Sequence, residues 1–250
     1  MTDTVRIAVV DHGAGNLVSI RNALEALGAR VRVATMAADL EGADAILVPG
    51  VGASAPAMGR LRRQGLTGPI VERVRAGTWY IGICLGLQLL FERSHEDGAR
   101  MLGLLPGDVE RIPAAPSLPH IGWNRVEVRR EHPVLAGLPD GVPAYFVHSY
   151  APVPADGAIV VAETEHGGRF ASLVASDRII GFQFHPERSG DDGLRMLANT
   201  LALITGTAPG QVAGKSPGQV ASTSPGQVAG TAPGVAPAAA TASNVSLVSG

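Results

Sequence analysis

The sequence predicts an α/β fold: an open, mixed and mainly parallel sheet flanked by helices, followed by a low-complexity tail. In the first half of the chain, short apolar runs alternate with amphipathic stretches of helical length. That alternation is typical of parallel strands joined by crossover helices. The second half is richer in strand-like segments, as in sheets that add antiparallel strands to a parallel core.

The tail covers residues 207–250 and contains one charged residue, Lys215, and no aromatic residue. A repeat of eight residues, Pro-Gly-Gln-Val-Ala with a variable spacer, runs through it from Pro209. Each Pro-Gly pair interrupts regular structure, and little apolar surface remains to offset the entropy of ordering the chain. We therefore predict one domain over residues 1–206 and a disordered tail over residues 207–250.

The domain is weakly acidic, since residues 1–206 hold 19 Arg, no Lys and 22 acidic residues, a net charge of −3. This balance argues against a nucleic-acid-binding protein. The single cysteine excludes a disulfide framework and a Cys-rich zinc site, and it fits a reducing compartment. No apolar run reaches the ~18 residues of a membrane span, and no signal peptide is recognisable. We expect a cytoplasmic protein that needs no metal or other cofactor and binds neither nucleic acid nor membranes.

The first half contains most of the predicted helices. The run Arg6–Val10 predicts a buried strand, and the loop from Asp11 to Gly15 follows it. Asn16 is a good N-cap for the next helix, which should end near Leu27. The further predictions are strands over Val31–Val33, Ala45–Val48 and Tyr80–Cys84 and helices over Ala53–Arg63, Ile70–Arg75 and Leu85–Arg93.

The second half contains five predicted strands and one closing helix. The predicted strands are Arg125–Arg129, Ala144–His148, Ile159–Thr164, Phe170–Ala175 and Ile179–Phe184, and the helix is Asp192–Leu203.

The segment Gly82-Ile83-Cys84-Leu85-Gly86 predicts a nucleophile at the turn from a strand into a helix. Small residues on both sides permit the sharp turn that projects such a side chain. The helix would offer N–H groups and a positive dipole end, which lower a thiol pKa and can bind an oxyanion. The competing interpretation is a buried structural cysteine between two ordinary glycines; the strand-turn-helix context favours the nucleophile.

A thiol nucleophile needs a base, and His185-Pro186-Glu187 supplies one at the end of an apolar strand. Residues two apart near a strand end point to the same side, so Glu187 can hold the imidazole of His185 in one tautomer. Alone, the motif is equally compatible with a surface His and Glu. Together with Cys84 it predicts a Cys-His-Glu triad.

The loop Pro49-Gly50-Val51-Gly52 follows another predicted parallel strand, at the end where ligands collect in open α/β sheets. Its glycines would let the backbone approach a substrate or turn an N–H toward an oxyanion. An ordinary strand-helix connection is the equally weighted alternative. Other histidines carry less weight: His148 is expected to be half-buried, and His12 to lie in a turn or face a partner.

These motifs resemble the class I, triad-type glutamine amidotransferases, over about residues 4–205. The nucleophile motif extends to Gln88, and Gly181–Glu187 matches the His-x-Glu motif. Within this family the chain is most similar to the glutaminase subunits of imidazole glycerol phosphate synthase. That similarity rests on the segments 11–16, 49–52, 119–124 and 145–150. The chain departs from the family at His12, where members often carry Tyr.

The resemblance implies a flavodoxin-like fold and a thioester mechanism that releases ammonia from L-glutamine. Cys84 would be the nucleophile, His185 the base and Glu187 its orienting group. Oxyanion and glutamine contacts would come from Gly50, Val51, Gly52, Leu85, Gln88, Ser149 and Tyr150. Ammonia would pass to a (β/α)8-barrel cyclase subunit in a heterodimer, with Asn16 and Trp123 at the interface.

Three alternatives remain at this point. One is the glutaminase of another pathway, such as anthranilate, carbamoyl phosphate or pyridoxal phosphate synthesis, although the segment Pro119–Asn124 argues against it. Another is a free-standing cysteine hydrolase, which would be active without a partner. The third is a silent glutamine-binding scaffold, which the intact triad disfavours because loss of the thiol is the simplest route to silence.

Overall fold

The computed structural model describes residues 4–209. Apart from residues 207–209, the predicted disordered tail of residues 207–250 lies outside the described residues. Within the described part of the chain, no helix combines the length and the apolar character needed to cross a membrane.

Twelve strands and five α-helices make up the described residues. The strands are β1 Arg6–Val10, β2 Arg30–Ala34, β3 Ala45–Val48, β4 Trp79–Ile83, β5 Arg93–Ser94, β6 Gly107–Arg111, β7 His120–Val128, β8 Val142–His148, β9 Tyr150–Pro154, β10 Val160–Glu165, β11 Arg169–Ser176 and β12 Ile179–Phe182. The helices are α1 Leu17–Ala26, α2 Ser54–Arg63, α3 Thr67–Arg75, α4 Leu85–Gln88 and α5 Gly190–Thr205.

A nine-stranded mixed sheet forms the centre of the fold, in the order β2-β1-β3-β4-β12-β11-β10-β7-β8. The first five strands run parallel, and each later strand pairs antiparallel with its neighbour. The predicted mixed α/β sheet is therefore confirmed, with its antiparallel part as extensive as its parallel part. A separate small sheet has the order β5-β6-β9.

Two apolar clusters pack on the two faces of the large sheet. Alternate residues of β1 enter different clusters: Ile7 and Val9 pack on one face, Ala8 and Val10 on the other. A strand that is buried on both faces has apolar residues at consecutive positions. This burial explains why the inner parallel strands β1, β3, β4 and β12 were recognisable from their short apolar runs.

The predicted cap of α1 is confirmed. The Asn16 side chain accepts a hydrogen bond from the Ser19 N–H at 3.2 Å. This bond satisfies one of the backbone donors that a helix start leaves without a partner inside the helix.

The predicted helix Leu85–Arg93 is wrong in its second half. Only Leu85–Gln88 is helical, and the chain then turns into the short strand β5. Leu89, Leu90 and Phe91 are all fully buried. The carbonyl oxygens of Leu89, Leu90 and Phe91 accept from N–H groups of residues 102–105 instead of from a following helical turn, so tertiary pairing ends the helix.

The sequence prediction also missed β6 and β9 and started β7 too late, at Arg125 instead of His120. Strand β9 contains two prolines, Pro152 and Pro154, which normally argue against a strand. It pairs antiparallel with β6, which lies far away in the sequence. Tertiary pairing therefore decides these strands, since their local sequence does not favour them.

Candidate active site

The carboxyl edge of the parallel strands gathers the predicted catalytic residues. Strand β4 lies between β3 and β12, and all three strands run in the same direction. The loop from Pro49 to Gly52, the thiol of Cys84 and the ring of His185 each follow one of these strands. The sheet topology thus brings together three segments that are far apart in the sequence.

Cys84 lies in a sharp turn between β4 and α4, as the sequence predicts. Its φ is 53° and its ψ is −108°, a combination that residues with a Cβ rarely adopt. The flanking glycines allow close backbone approach: a Cβ on Gly86 would lie 1.7 Å from the Val48 carbonyl oxygen. A Cβ on Gly82 would lie 2.7 Å from the Gly86 backbone. Only glycine fits at these two positions, which explains the motif.

His185 and Glu187 form a buried pair. Nδ1 of His185 lies 2.9 Å from Oε1 of Glu187, and the two side chains are 6% and 0% exposed. Burial favours the neutral imidazole, but Cys84 and Glu187 outweigh it and raise the pKa of His185 to about 10. The imidazolium form is therefore stabilised next to the sulfur and the carboxylate.

The sulfur of Cys84 faces this imidazole and two further groups. The thiol approaches the Val147 carbonyl oxygen at 3.7 Å, and Nε2 of Gln183 approaches the sulfur at 3.8 Å. Nε2 of His185 is buried, and Cys84 acts on this imidazole to raise its pKa. Gln183 was not singled out from the sequence, where it reads as one residue of an apolar strand end.

The loop beside the thiol does not offer the predicted oxyanion donor in this conformation. The Leu85 N–H donates to the Gly50 carbonyl oxygen at 3.3 Å. His12 lies against the same loop, with Nε2 2.6 Å from the Pro49 carbonyl oxygen. Since a carbonyl only accepts, Nε2 of His12 is the donor. His12 is 1% exposed, so it does not face a partner.

A pocket of about 210 Å³ opens beside the thiol. Five predicted residues line it: Gly52, Cys84, Gln88, Ser149 and Tyr150. Nε2 of Gln88 donates to the Tyr150 carbonyl oxygen at 2.8 Å and to Oε1 of Gln183 at 3.2 Å. The lining residues that the sequence did not predict are Ala53, Glu96, Pro119, Val147 and His148.

Glu96 is the acidic group of this pocket. Burial and the neighbouring Asp97 raise the pKa of its carboxyl group. The sequence contains no signal for Glu96, because it lies in a turn of polar residues between β5 and β6. His148, expected to be half-buried, is only 6% exposed.

The residues predicted to face a partner are at the surface. Asn16 is exposed, and Trp123 and Ile121 on β7 are 58% and 61% exposed. The ring of Trp123 packs edge-on against Tyr145, with 6.2 Å between the ring centroids. The guanidinium carbon of Arg188 lies 4.1 Å above the Tyr145 ring. An exposed apolar patch of this kind is typical of a protein–protein contact surface.

A larger cavity, of about 630 Å³, lies at the opposite edge of the sheet and is lined by Asp44, Thr78 and Arg178 among others. It lies at the amino ends of the parallel strands, away from Cys84. Its size alone does not make it the active site, because the predicted nucleophile and the predicted base both lie at the carboxyl edge.

Comparison with known proteins agrees with this geometry. Residues 8–203 match the family model described as "Glutamine amidotransferase class-I".

The chain belongs to the class I glutamine amidotransferase family.

Curated relatives of this amidotransferase carry the name imidazole glycerol phosphate synthase subunit HisH. The protein from Dehalococcoides mccartyi (strain ATCC BAA-2266 / KCTC 15142 / 195) is 43% identical over 201 residues, which are 80% of this chain and 98% of the relative. The protein from Xanthomonas oryzae pv. oryzae (strain MAFF 311018) is 50% identical over 206 residues, which are 81% and 98% of the two chains.

Solved structures show the same fold. A structure described as "Structure of PurLQS from Thermotoga maritima" has a TM-score of 0.65 and 20% identity, and the match covers 81% of this chain and 100% of the other. The fold predicted from the motifs is thus confirmed.

Proposed function

We propose that this amidotransferase is the glutaminase subunit of an imidazole glycerol phosphate synthase in histidine biosynthesis. It hydrolyses L-glutamine to L-glutamate and ammonia and supplies the ammonia to a partner cyclase subunit. The observation that carries the proposal is the set of Cys84, His185 and Glu187 at one edge of the sheet. The 43–50% identity to HisH subunits supports the choice of pathway.

The chemistry begins with the proton shared by Cys84 and His185. His185 takes the thiol proton, and its raised pKa favours the imidazolium that results. The thiolate attacks the carboxamide carbon of glutamine, and His185 then donates its proton to the leaving nitrogen. Ammonia departs and a thioester to Cys84 remains. Water, deprotonated by His185, hydrolyses the thioester to glutamate, while Glu187 keeps the imidazole oriented.

The oxyanion of the tetrahedral intermediate needs N–H donors, and Leu85 is the nearest one in the elbow. Its N–H is bound to the Gly50 carbonyl, so this bond must break before the N–H can serve the substrate. We infer that the peptide between Gly50 and Val51 reorients, which removes the carbonyl and presents the Val51 N–H. The adjoining Gly52, with φ of 91°, adopts a conformation that favours glycine.

The pocket suits an α-amino acid with a short amide side chain. The carboxylate of Glu96 complements an α-ammonium group by charge. Gln88 and the backbone of Ser149 and Tyr150 supply polar groups along the wall. Glutamine held between these groups would present its carboxamide to the sulfur of Cys84.

The partner is a (β/α)8-barrel cyclase subunit, and the complex is a heterodimer. Exposed Ile121, Trp123 and Asn16 support this part of the proposal, because an isolated hydrolase has no use for such a surface. Since the thiol must stay reduced to react, we place the complex in the cytoplasm.

The substitution Cys84→Ser tests the assignment of the nucleophile. We expect glutamine-dependent synthesis by the complex to fall roughly a thousandfold or more, because the hydroxyl has no comparably stable anion at neutral pH. Synthesis from added ammonium salt should stay at the wild-type rate, which also shows that the variant folds and assembles.

Two outcomes would contradict the proposal. Glutamine-dependent synthesis by Cys84→Ser at the wild-type rate would exclude Cys84 as the nucleophile. Strong glutaminase activity of the isolated wild-type chain, unchanged on adding the cyclase subunit and its nucleotide substrate, would favour a free-standing hydrolase.

A further inference from the structure

Three polar side chains lie in a row along strands β7 and β8 and take no part in the triad. They are His148 on β8 and His120 and Asn124 on β7. His120 and His148 are directly opposite in the strand register and are only 4% and 6% exposed. Buried histidines at this position need hydrogen-bond partners, and both have them.

The hydrogen bonds run in one direction along the row. Nδ1 of His148 lies 2.8 Å from the Tyr150 carbonyl oxygen, so Nδ1 must carry the proton. In the neutral ring Nε2 then accepts, and it lies 3.3 Å from Nδ1 of His120. Nε2 of His120 is left as the acceptor, and the Asn124 amide nitrogen lies 3.3 Å from it.

The orientation of Asn124 is fixed by its other bonds, which makes this direction unambiguous. Its amide nitrogen also donates to the Glu165 carbonyl oxygen at 2.9 Å. Its Oδ1 accepts from the Arg125 N–H at 2.8 Å.

Both rings are held neutral and in place by their surroundings. Burial is the main cause that lowers the pKa of His148 to about 3 and that of His120 to about 4. The His120 ring stacks between His166 and Phe146, at centroid distances of 3.9 and 4.9 Å. The row therefore has one arrangement of protons and little freedom to reorient.

The two ends of the row lie at functionally different places. At one end, the Tyr150 carbonyl also accepts from Gln88 in the glutamine pocket. At the other end, Asn124 belongs to β7, whose opposite face exposes Ile121 and Trp123. Strand β7 thus has the exposed residues Ile121 and Trp123 on one face and the hydrogen-bonded row on the other.

We propose that His120 and His148 are positioning residues that couple the partner-facing strand β7 to the glutamine pocket through this hydrogen-bonded row. The inference rests on the proposed function, since it requires a glutaminase that a partner stimulates.

The physical basis is that these buried ring nitrogens have no other hydrogen-bond partner among residues 4–209. A shift of β7 that lengthened the bond from Asn124 to His120 would leave a buried ring nitrogen unpaired. The row therefore moves as a unit, and its displacement reaches the carbonyl that holds Gln88. By linkage, glutamine binding would in turn change the affinity for the partner.

The test uses His120→Asn in the complete heterodimer. Asparagine can still donate to His148 from its amide nitrogen, but it is too short to reach Asn124. We expect stimulation of glutamine hydrolysis by the partner to fall about five- to tenfold, the lower range of typical coupling between sites. The KM for glutamine in the complex should rise, and synthesis from ammonium salt should stay at the wild-type rate.

His132→Asn is the matched control. His132 lies outside the row and caps a short 3-10 helix by accepting from the Val134 N–H, which Asn can also do. This variant should keep the wild-type stimulation. A merely structural role of His120 would lower thermal stability without changing the ratio of stimulated to unstimulated hydrolysis, and that result would overturn the proposal.

The ring nitrogens can be examined without any substitution. In ¹⁵N NMR spectra of the wild-type protein at neutral pH, His120 and His148 should both show the Nδ1–H tautomer. The Nε2–H tautomer in either ring would overturn the row and hence the proposal. Should the wild-type complex make no product from glutamine, the proposed function itself would fail, independently of these histidines.

Discussion

At the residue scale, the proposed nucleophile Cys84 has a backbone conformation that costs free energy. Cys84 has a positive φ, and such a conformation in a residue with a Cβ costs about 1–3 kcal/mol. The surrounding backbone enforces it, because Gly82 and Gly86 pack closer to their neighbours than any side chain would allow. In the proposed mechanism this turn points the thiol toward His185. The turn therefore lowers the free energy of unfolding while it places the nucleophile beside its base.

Comparing Cys84→Gly with Cys84→Ala measures this strain. Glycine normally destabilises a folded chain relative to alanine, by roughly 0.5–1 kcal/mol. At position 84 we expect the reverse, with the Gly variant about 1 kcal/mol more stable, because only glycine adopts a positive φ at no steric cost. Urea unfolding of both inactive variants gives the difference. An Ala variant of equal or greater stability would show that the turn is unstrained.

The residue scale is also where sequence reasoning succeeded and failed most clearly. The triad could be predicted because Cys84, His185 and Glu187 each lie in a short motif with a chemical meaning. Gln183, Glu96 and His148 were not predicted as site residues, although all three lie beside the sulfur or in the pocket and two of them belong to segments that match the family. Their proximity arises from the pairing of strands that are far apart in the chain, and no local sequence pattern indicates that pairing.

At the element scale, strands β7 and β8 pair with each other, hold an aromatic contact on one face and bury two histidines on the other. They pair antiparallel over seven registered positions, from His120 with His148 to Val126 with Val142. Their outer faces bring Trp123 against Tyr145, and their inner faces bury the two histidines. Element predictions were most reliable for strands buried on both faces, whose apolar runs are continuous, and least reliable for strands such as β9.

Burial of neutral histidines on these strands makes stability depend on pH. The pKa of His148 is lowered to about 3 in the folded state, mainly by burial, against about 6.5 when the chain is unfolded. As the pH falls below about 6.5, the unfolded chain binds a proton that the folded chain does not. The contribution of the neutral His148 to the free energy of unfolding is therefore fully present above pH 6.5, and it is lost as the pH falls toward 3.

His148→Asn should reduce this loss. Because asparagine does not titrate, the free energy of unfolding should fall less steeply between pH 6.5 and 5, by up to about 1.4 kcal/mol per pH unit. Urea unfolding of the wild type and the variant across this range gives the two slopes. Identical slopes would show that His148 titrates normally in the folded protein.

At the scale of the whole molecule, the described residues 4–209 include apolar clusters on both faces of the large sheet. The repeat composition of the tail predicts that it adds nothing to this core.

A chain truncated after Pro209 tests that organisation. We expect its melting temperature to stay within about 2 °C of the full chain, since a change of 1 kcal/mol shifts a domain of this size by about 2–4 °C. Glutamine-dependent synthesis with the cyclase subunit should also be unchanged. A large drop in melting temperature would show that the domain extends beyond residue 206, and a selective loss of synthesis would assign the tail a role in the complex.

The sequence by itself determined the α/β class, most strands of the parallel core and the cap of the first helix, and it predicted Cys84, His185 and Glu187 as a triad. These features follow from local causes: apolar runs, capping groups and glycines that permit close approach. Only the tertiary structure decided the conformation of the loop at Gly50, the lining of the pocket beside Cys84 and the row from Asn124 to Tyr150. Those features depend on contacts between segments far apart in the chain, and such contacts exist only once the strands have paired.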